Sequence, residues 1–380
     1  MPKEEIDKYL CLGLIPNFAL IKSNKIDLED FCIEKIDWTK VKDCFPDINL
    51  NQFMEYKFVE NPYFMVFGEI TDSPKNRHVG GGTVKKNGKT IIFMDQPWDF
   101  YDLDLDHLQK VILLLNLFKR SSVPVFTSVG FFRWTTEDAQ YRTKHISANI
   151  DIAKHIDWDE ESVAHHYWLT GDESRELNSF KKNVYRLLLK ENPSKDEKYL
   201  QIAMEYFLEG CLKEANDNDE MAALDFIIGL EALYLTDEQE LKYKFANRVA
   251  ILLSNPERED ERKELQEYAE DVYKLRNKIV HGGLSRKDIY KRLISTTGKQ
   301  IGEKIYSIRE LARLSLLYFL PLHYNWVKKR KEGNLHDEIL HKIDSGLFSK
   351  DNRIEIMREK RKKKIVEISQ KVSPRLKIVR

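Results

Sequence analysis

The spacing of apolar positions along the chain changes character near residue 172. Before that point, short runs rich in β-branched and aromatic residues are separated by polar breaks. Phe18 to Lys22, Asp30 to Trp38, Tyr63 to Ile70, Thr90 to Met94 and Phe126 to Trp134 have this form, which predicts strands. One stretch interrupts them: Leu105 to Arg120 reads as a helix with Leu108, Val111, Ile112 and Leu115 on its buried face. After residue 172, spacing by threes and fours takes over, through Glu173 to Lys190, Glu197 to Ala215, Glu220 to Leu235, Glu238 to Leu253 and Glu257 to His281, with breaks at Asn192-Pro193-Ser194 and Asn255-Pro256. Ile301 to Val327 is the longest later helix, its seam Ile301, Ile305, Ile308, Ala312, Leu316 and Phe319, and Pro321 should kink it or end it early. The pattern predicts an α+β chain: a strand-rich N-terminal domain over residues 1–172, an all-α bundle of about five helices over 173–330, and a helical extension over 331–380.

Within the bundle, the stretch from Leu265 to Gly283 has the clearest division of faces. At roughly 100° per residue, Leu265, Tyr268, Val272, Leu275 and Ile279 fall within one arc of about 80°, a core-facing stripe. Tyr273, Arg276, Asn277, Val280 and His281 occupy the neighbouring arc, so a phenol, a guanidinium, an amide and an imidazole share one edge. Gly282-Gly283 should end the helix, because glycine takes the left-handed cap conformation without a Cβ penalty. His281 then sits beside unpaired carbonyls and the negative end of the helix dipole, a setting that suits a cation. An imidazole beside a guanidinium fits a phosphodiester substrate. The plainer reading is that an Arg and a His near a helix C-terminus simply complement the dipole.

The residues Arg276, Asn277 and His281, with Tyr273 before and Gly282 after, resemble the motif of the HEPN ribonucleases, in which an Arg and an adjacent polar residue precede a His by four to six positions. Leu224 to Tyr234 and Glu240 to Leu253 upstream resemble the Apea-like branch of that family, and the three blocks stand in the family's order and spacing, covering roughly residues 200 to 325. The resemblance implies a HEPN helical bundle with metal-independent endoribonuclease activity and no cofactor. Arg276 would bind the scissile phosphate, His281 would exchange protons with the attacking 2′-hydroxyl or the leaving 5′-oxygen, and Asn277 would orient either group. Tyr273 and Lys278 are expected to touch substrate. The product would carry a 2′,3′-cyclic phosphate. Implied partners are RNA and a second copy of the chain, with a phage-derived trigger or a nucleotidyltransferase antitoxin as controller in a defence or toxin role. A non-catalytic HEPN module that binds RNA or protein is the alternative.

Glu231 lies in the apolar run Phe226 to Leu235, where an unpaired carboxylate would be costly. Arg248 is expected to support it as an ion pair, with Arg276 as the other candidate.

Composition alters this picture in one place. Lys and Arg together balance Asp and Glu at 62 each. Yet from Lys328 to Arg380 there are 17 Lys and Arg against 8 Asp and Glu, leaving 45 against 54 in the body. The dense run Arg358 to Lys364 is therefore either a contact for RNA phosphates or a solvated helix end. Cys11, Cys32, Cys44 and Cys211 have no paired spacing, and no apolar leader precedes them, which points to a reducing cytoplasm. The longest apolar stretches, Val111 to Leu115 and Leu316 to Leu322, are far short of the roughly 18 residues a bilayer requires, so no membrane partner is expected.

Two other patterns suggest chemistry less well. Gly80 to Thr90 invites comparison with a phosphate loop, but position 83 is threonine where that motif needs glycine; Asn87-Gly88 between Val84 and Ile91 reads better as a two-residue hairpin turn. His145, His155, His165 and His166 lie near Asp151, Asp157 and Asp159 without a recognised ligand spacing, so they read as solvated or structural histidines and no metal is expected.

Overall fold

A computed structural model of the chain describes residues 7–15, 18–21, 25–28, 31–35, 64–72, 83–86, 89–92, 109–119, 128–134, 139–145, 167–188, 194–216, 218–237, 239–281, 299–301, 304–327 and 334–361. By their contacts, residues 1–112 with 124–174 form one compact unit, and residues 113–123 with 175–380 form another. The division falls close to the expected boundary at 172, with one exchange: residues 113–123 group with the helical unit.

In the first unit, strands β1 (Asp7–Ile15), β3 (Lys25–Leu28), β4 (Phe31–Lys35), β5 (Phe64–Asp72), β8 (Ser128–Trp134) and β9 (Ala139–His145) form a sheet in the order β3-β4-β5-β1-β8-β9. Every neighbouring pair in it is antiparallel. Strand β1 lies outside the expected strands, because its residues form a nearly continuous apolar run rather than an alternating one. Strand β2 (Phe18–Ile21) pairs in parallel with β10 (Tyr167–Thr170), where the rings of Phe18 and Tyr167 stack at 5.6 Å. Strands β6 (Thr83–Lys86) and β7 (Lys89–Ile92) place Lys86 opposite Lys89, the register of a two-residue hairpin link. The glycine-rich stretch 80–82 and the residues from His155 to His166 lie outside the described residues.

The helical unit is built around α3. Helices α1 (Gly171–Leu188), α2 (Lys198–Ala215), α3 (Asp219–Tyr234), α4 (Leu241–Leu253) and α5 (Glu259–Val280) follow one another, then α6 (Ile308–Val327), α7 (Leu335–Ser345) and α8 (Lys350–Arg361). Apolar residues surround α3 rather than striping it; Ala222, Ala223, Phe226, Ile227, Leu230, Leu233 and Tyr234 are all buried. A helix apolar all round belongs inside, and α3 packs against α2, α4, α5 and α6. Helix α2 comes especially near at Gly210, where a Cβ would stand 2.6 Å from the Phe226 ring. The residue best suited to that approach is the one without a side chain.

The segment 109–118 is helical, and residues 111–119 are buried on all sides rather than on one face. Its later part belongs with the bundle for specific reasons. Phe118 meets Phe180 edge-on at 5.4 Å, and the Arg313 Nη1 donates to the Leu117 carbonyl at 2.9 Å. Arg313 itself is held by Glu310 through two hydrogen bonds of 2.8 Å. Leu108 lies outside the described residues.

Two sequence expectations for the later helices need correction. Ile301 and Ile305 do not open the long helix: they lie in β11 (Lys299–Ile301) and β12 (Lys304–Tyr306), an antiparallel pair. The helix begins after Ser307, whose hydroxyl accepts from the Glu310 backbone N–H at 3.1 Å, so the cap and not the apolar spacing sets its start. It also continues through Pro321 to Val327. The second correction concerns residues 331–380, expected as a separate extension. Helices α7 and α8 are part of the same compact unit, with Leu335, Ile339, Leu340, Ile343 and Ile356 buried.

Candidate active site

Helix α5 carries the expected stripe. Leu265, Tyr268, Val272 and Leu275 are buried, and Ile279 is half-buried at the end of the row. His281 caps the helix, its backbone N–H donating to the Asn277 carbonyl at 3.0 Å. Gly282 and Gly283 lie outside the described residues. Asn277, Lys278 and His281 are exposed, as is Val280.

Tyr273 departs from expectation. It is 8 % exposed, with its ring tilted against Phe245 at 5.6 Å, so the ring stands in the wall behind the edge instead of projecting from it. The reason is its neighbour: α4 packs against α5, and its Phe245 lies against the Tyr273 ring at the near end of that arc.

Arg276 meets Glu231 of α3, its Nε 2.9 Å from the carboxylate Oε1. Arg248 is the partner the sequence suggests first for Glu231, and the structure corrects this. Arg248 turns to α7, donating from Nε and Nη2 to the two carboxylate oxygens of Asp344 at 2.8 Å each, and from Nη1 to the Tyr234 carbonyl at 2.5 Å. The choice follows from the helix faces: α3 packs on α5 as well as α4, and Glu231 faces the former.

The Glu231–Arg276 pair is an ion pair by distance whose N–H does not point along a hydrogen-bond line, and Nε itself is buried. The Arg276 side chain is 36 % exposed against 18 % for Glu231. Neither terminal nitrogen of Arg276 makes a hydrogen bond to a described residue, so the guanidinium is fastened from behind and open in front. Burial raises the Glu231 carboxyl above its ordinary range, and the Arg276 charge offsets only part of that. Burial likewise raises the Tyr273 phenol, the nearby Glu231 carboxylate adds to it, and Arg276 opposes it. Glu231, Tyr273 and Arg276 therefore form one electrostatic group.

The side chains of Asn277 and His281 make no hydrogen bond within the described residues, and Lys278 makes no ion pair there. Arg276, with an open fork, and the exposed Asn277 and His281 at the same helix end offer an oxyanion ligand, an amide and a proton-transfer group. Among the described residues, no group of three or more His, Cys, Asp or Glu could hold a metal ion, and no helix is long and apolar enough to cross a membrane. Comparison with family models, with curated proteins and with solved structures finds no match to this chain.

Proposed function

We propose that the helical unit is a metal-independent endoribonuclease of HEPN type, with Arg276 as the phosphate ligand and His281 as the proton-transfer group. The observation that supports this most is the posture of Arg276. Its Nε rests against Glu231 while its outer nitrogens are open to solvent. Such anchoring limits the rotamers of a long side chain and leaves the paired N–H groups that match a phosphate. Arg276 then stabilises charge developing on the scissile phosphate, and His281 takes the proton of the 2′-hydroxyl or gives one to the leaving 5′-oxygen. The 2′-oxygen attacks phosphorus, the bond to the 5′-oxygen breaks, and a 2′,3′-cyclic phosphate is left. Asn277 orients these groups and Lys278 adds positive charge for the RNA backbone.

The reading includes a second copy. Five helical steps separate Arg276 from His281, roughly 140° around the axis and about 7.5 Å along it. One phosphate is met more simply by Arg276 of one copy and His281 of the other than by both from a single helix end. The biological role that accompanies the reading is antiphage defence or toxicity in the cytoplasm. Residues 1–172, as an α+β domain, serve it as sensor, regulator or substrate selector.

The test is cleavage of labelled RNA in EDTA by the intact chain, by Arg276→Ala and by His281→Ala. The intact chain should cleave RNA and spare DNA, and each variant should lose roughly 10²-fold or more. Activity that vanishes with chelator, or survives both substitutions, overturns the mechanism. Binding of RNA with no cleavage would identify a non-catalytic module instead.

A further inference from the structure

Glu231, which fastens Arg276, lies in the last turn of α3, and that turn ends without a glycine cap. Leu235 follows it in extended conformation, φ −128° and ψ 135°. The last carbonyls of a helix need partners from elsewhere, and here one comes from α7 and the other from an α4 arginine that α7 holds. His336, on α7, brings its Nε2 to 2.7 Å from the Leu233 carbonyl. Arg248, gripped by Asp344 of the same α7, donates to the Tyr234 carbonyl next along. Both donors are confined. The imidazole of His336 lies flat on Tyr199, ring centres 3.8 Å apart and planes 4° from parallel, and Arg248 is 5 % exposed. Burial lowers the affinity of His336 for a second proton, with Arg248 acting in the same direction against the Leu233 carbonyl and Asp337.

We infer that α7 is a clamp on the end of α3, and that His336 and Asp344 are positioning residues which set Glu231 and, through it, the open fork of Arg276. The role of Arg276 in this rests on the ribonuclease reading above; the clamp itself does not. Two adjacent carbonyls held by side chains that α7 supplies or grips fix both the pitch and the direction of the α3 terminus. Opening α7 would let the final turn fray, and Glu231 would no longer present its carboxylate to the buried Nε of Arg276.

The clamp can be tested in the full chain with Asp344→Ala, with Asp344→Asn as a variant of nearly the same volume, and with Asp351→Ala, an exposed change on α8, as control. Hydrogen exchange in the peptide spanning Glu231 to Leu235 should accelerate roughly tenfold or more in both Asp344 variants, the change expected when a charge-assisted hydrogen bond is removed. Phenylglyoxal labelling of Arg276, followed by mass spectrometry, should change several-fold in the same variants and remain unaltered in the control. Asp344→Glu should recover part of both effects. Wild-type exchange and labelling in a folded Asp344→Asn protein would overturn the proposal. Neither measurement uses RNA: a clamp that behaves as stated in a chain that never cleaves RNA refutes the ribonuclease reading alone. Unaltered RNA cleavage in variants whose exchange and labelling have changed would show that the clamp does not serve the site.

Discussion

Removing Arg276 should destabilise the protein in a way that depends on pH, because it strands a particular carboxylate. Arg276→Ala removes the cation from Glu231, whose side chain is 18 % exposed in the intact protein. Exposed ion pairs contribute about 0–1 kcal/mol, whereas breaking a fully buried pair costs about 3–5 kcal/mol. With one partner mostly buried and the other more than a third exposed, solvent screening brings the expected cost to about 1–2 kcal/mol near neutral pH. The sign with pH follows from the direction of the shift. The folded carboxyl titrates above its unfolded value of 4.5 because burial outweighs Arg276. Stability from the protonated acid is therefore fully present below about 4.5 and is lost as pH rises through the folded value. Without Arg276 the folded value moves higher, so the deficit against wild type should be small at pH 4 and grow towards neutrality. Urea unfolding followed by helical circular dichroism from pH 4 to 8 measures it, with Glu231→Gln/Arg276→Ala as the decisive companion. That double variant should regain much of the lost stability above pH 6, since no charge remains to be stranded. A deficit that is flat with pH, or a double variant no more stable than Arg276→Ala, would refute the argument.

Two further outcomes are expected. Mixing Arg276→Ala with His281→Ala protein should restore part of the RNA cleavage, because a mixed pair retains one Arg276 and one His281 that can face each other; sedimentation should show a dimer, and a monomer active at full rate excludes the shared site. Truncation after Arg361 should leave the bundle folded while weakening RNA binding and flattening its salt dependence by about one counterion for each phosphate that the shortened chain no longer holds, and an unchanged slope across several salt concentrations would mark the tail as a solvated appendage. A cut after Arg361 spares α8, whose Ile356 is buried and whose Glu359 carbonyl accepts from Asn325 at 3.0 Å.

The periodicity of α5 was legible in the sequence because a helix fixes, by its own geometry, which residues share a face. Leu265, Tyr268, Val272 and Leu275 had to turn inward together, and Arg276, Asn277 and His281 had to fall outside that stripe. The same reasoning identified the apolar run of α3 and the cost of placing Glu231 within it. Partner choice had no such local signal. The sequence put Arg248 ahead of Arg276 as the partner of Glu231, and only the packing of α3 on α5 brought Arg276 to 2.9 Å and left Arg248 to Asp344. Tyr273 looked available because a single helix cannot show what another will cover, and α4 covers it. Ile301 and Ile305 continued a helical spacing that a hairpin satisfies too, with the Ser307 cap deciding between them. The charge-rich C-terminal segment read as an appendage because its hydrophobic packing and its hold on the α3 carbonyls join residues about a hundred positions apart. Such pairings arise only when the bundle closes, since no stretch of the chain alone contains both partners.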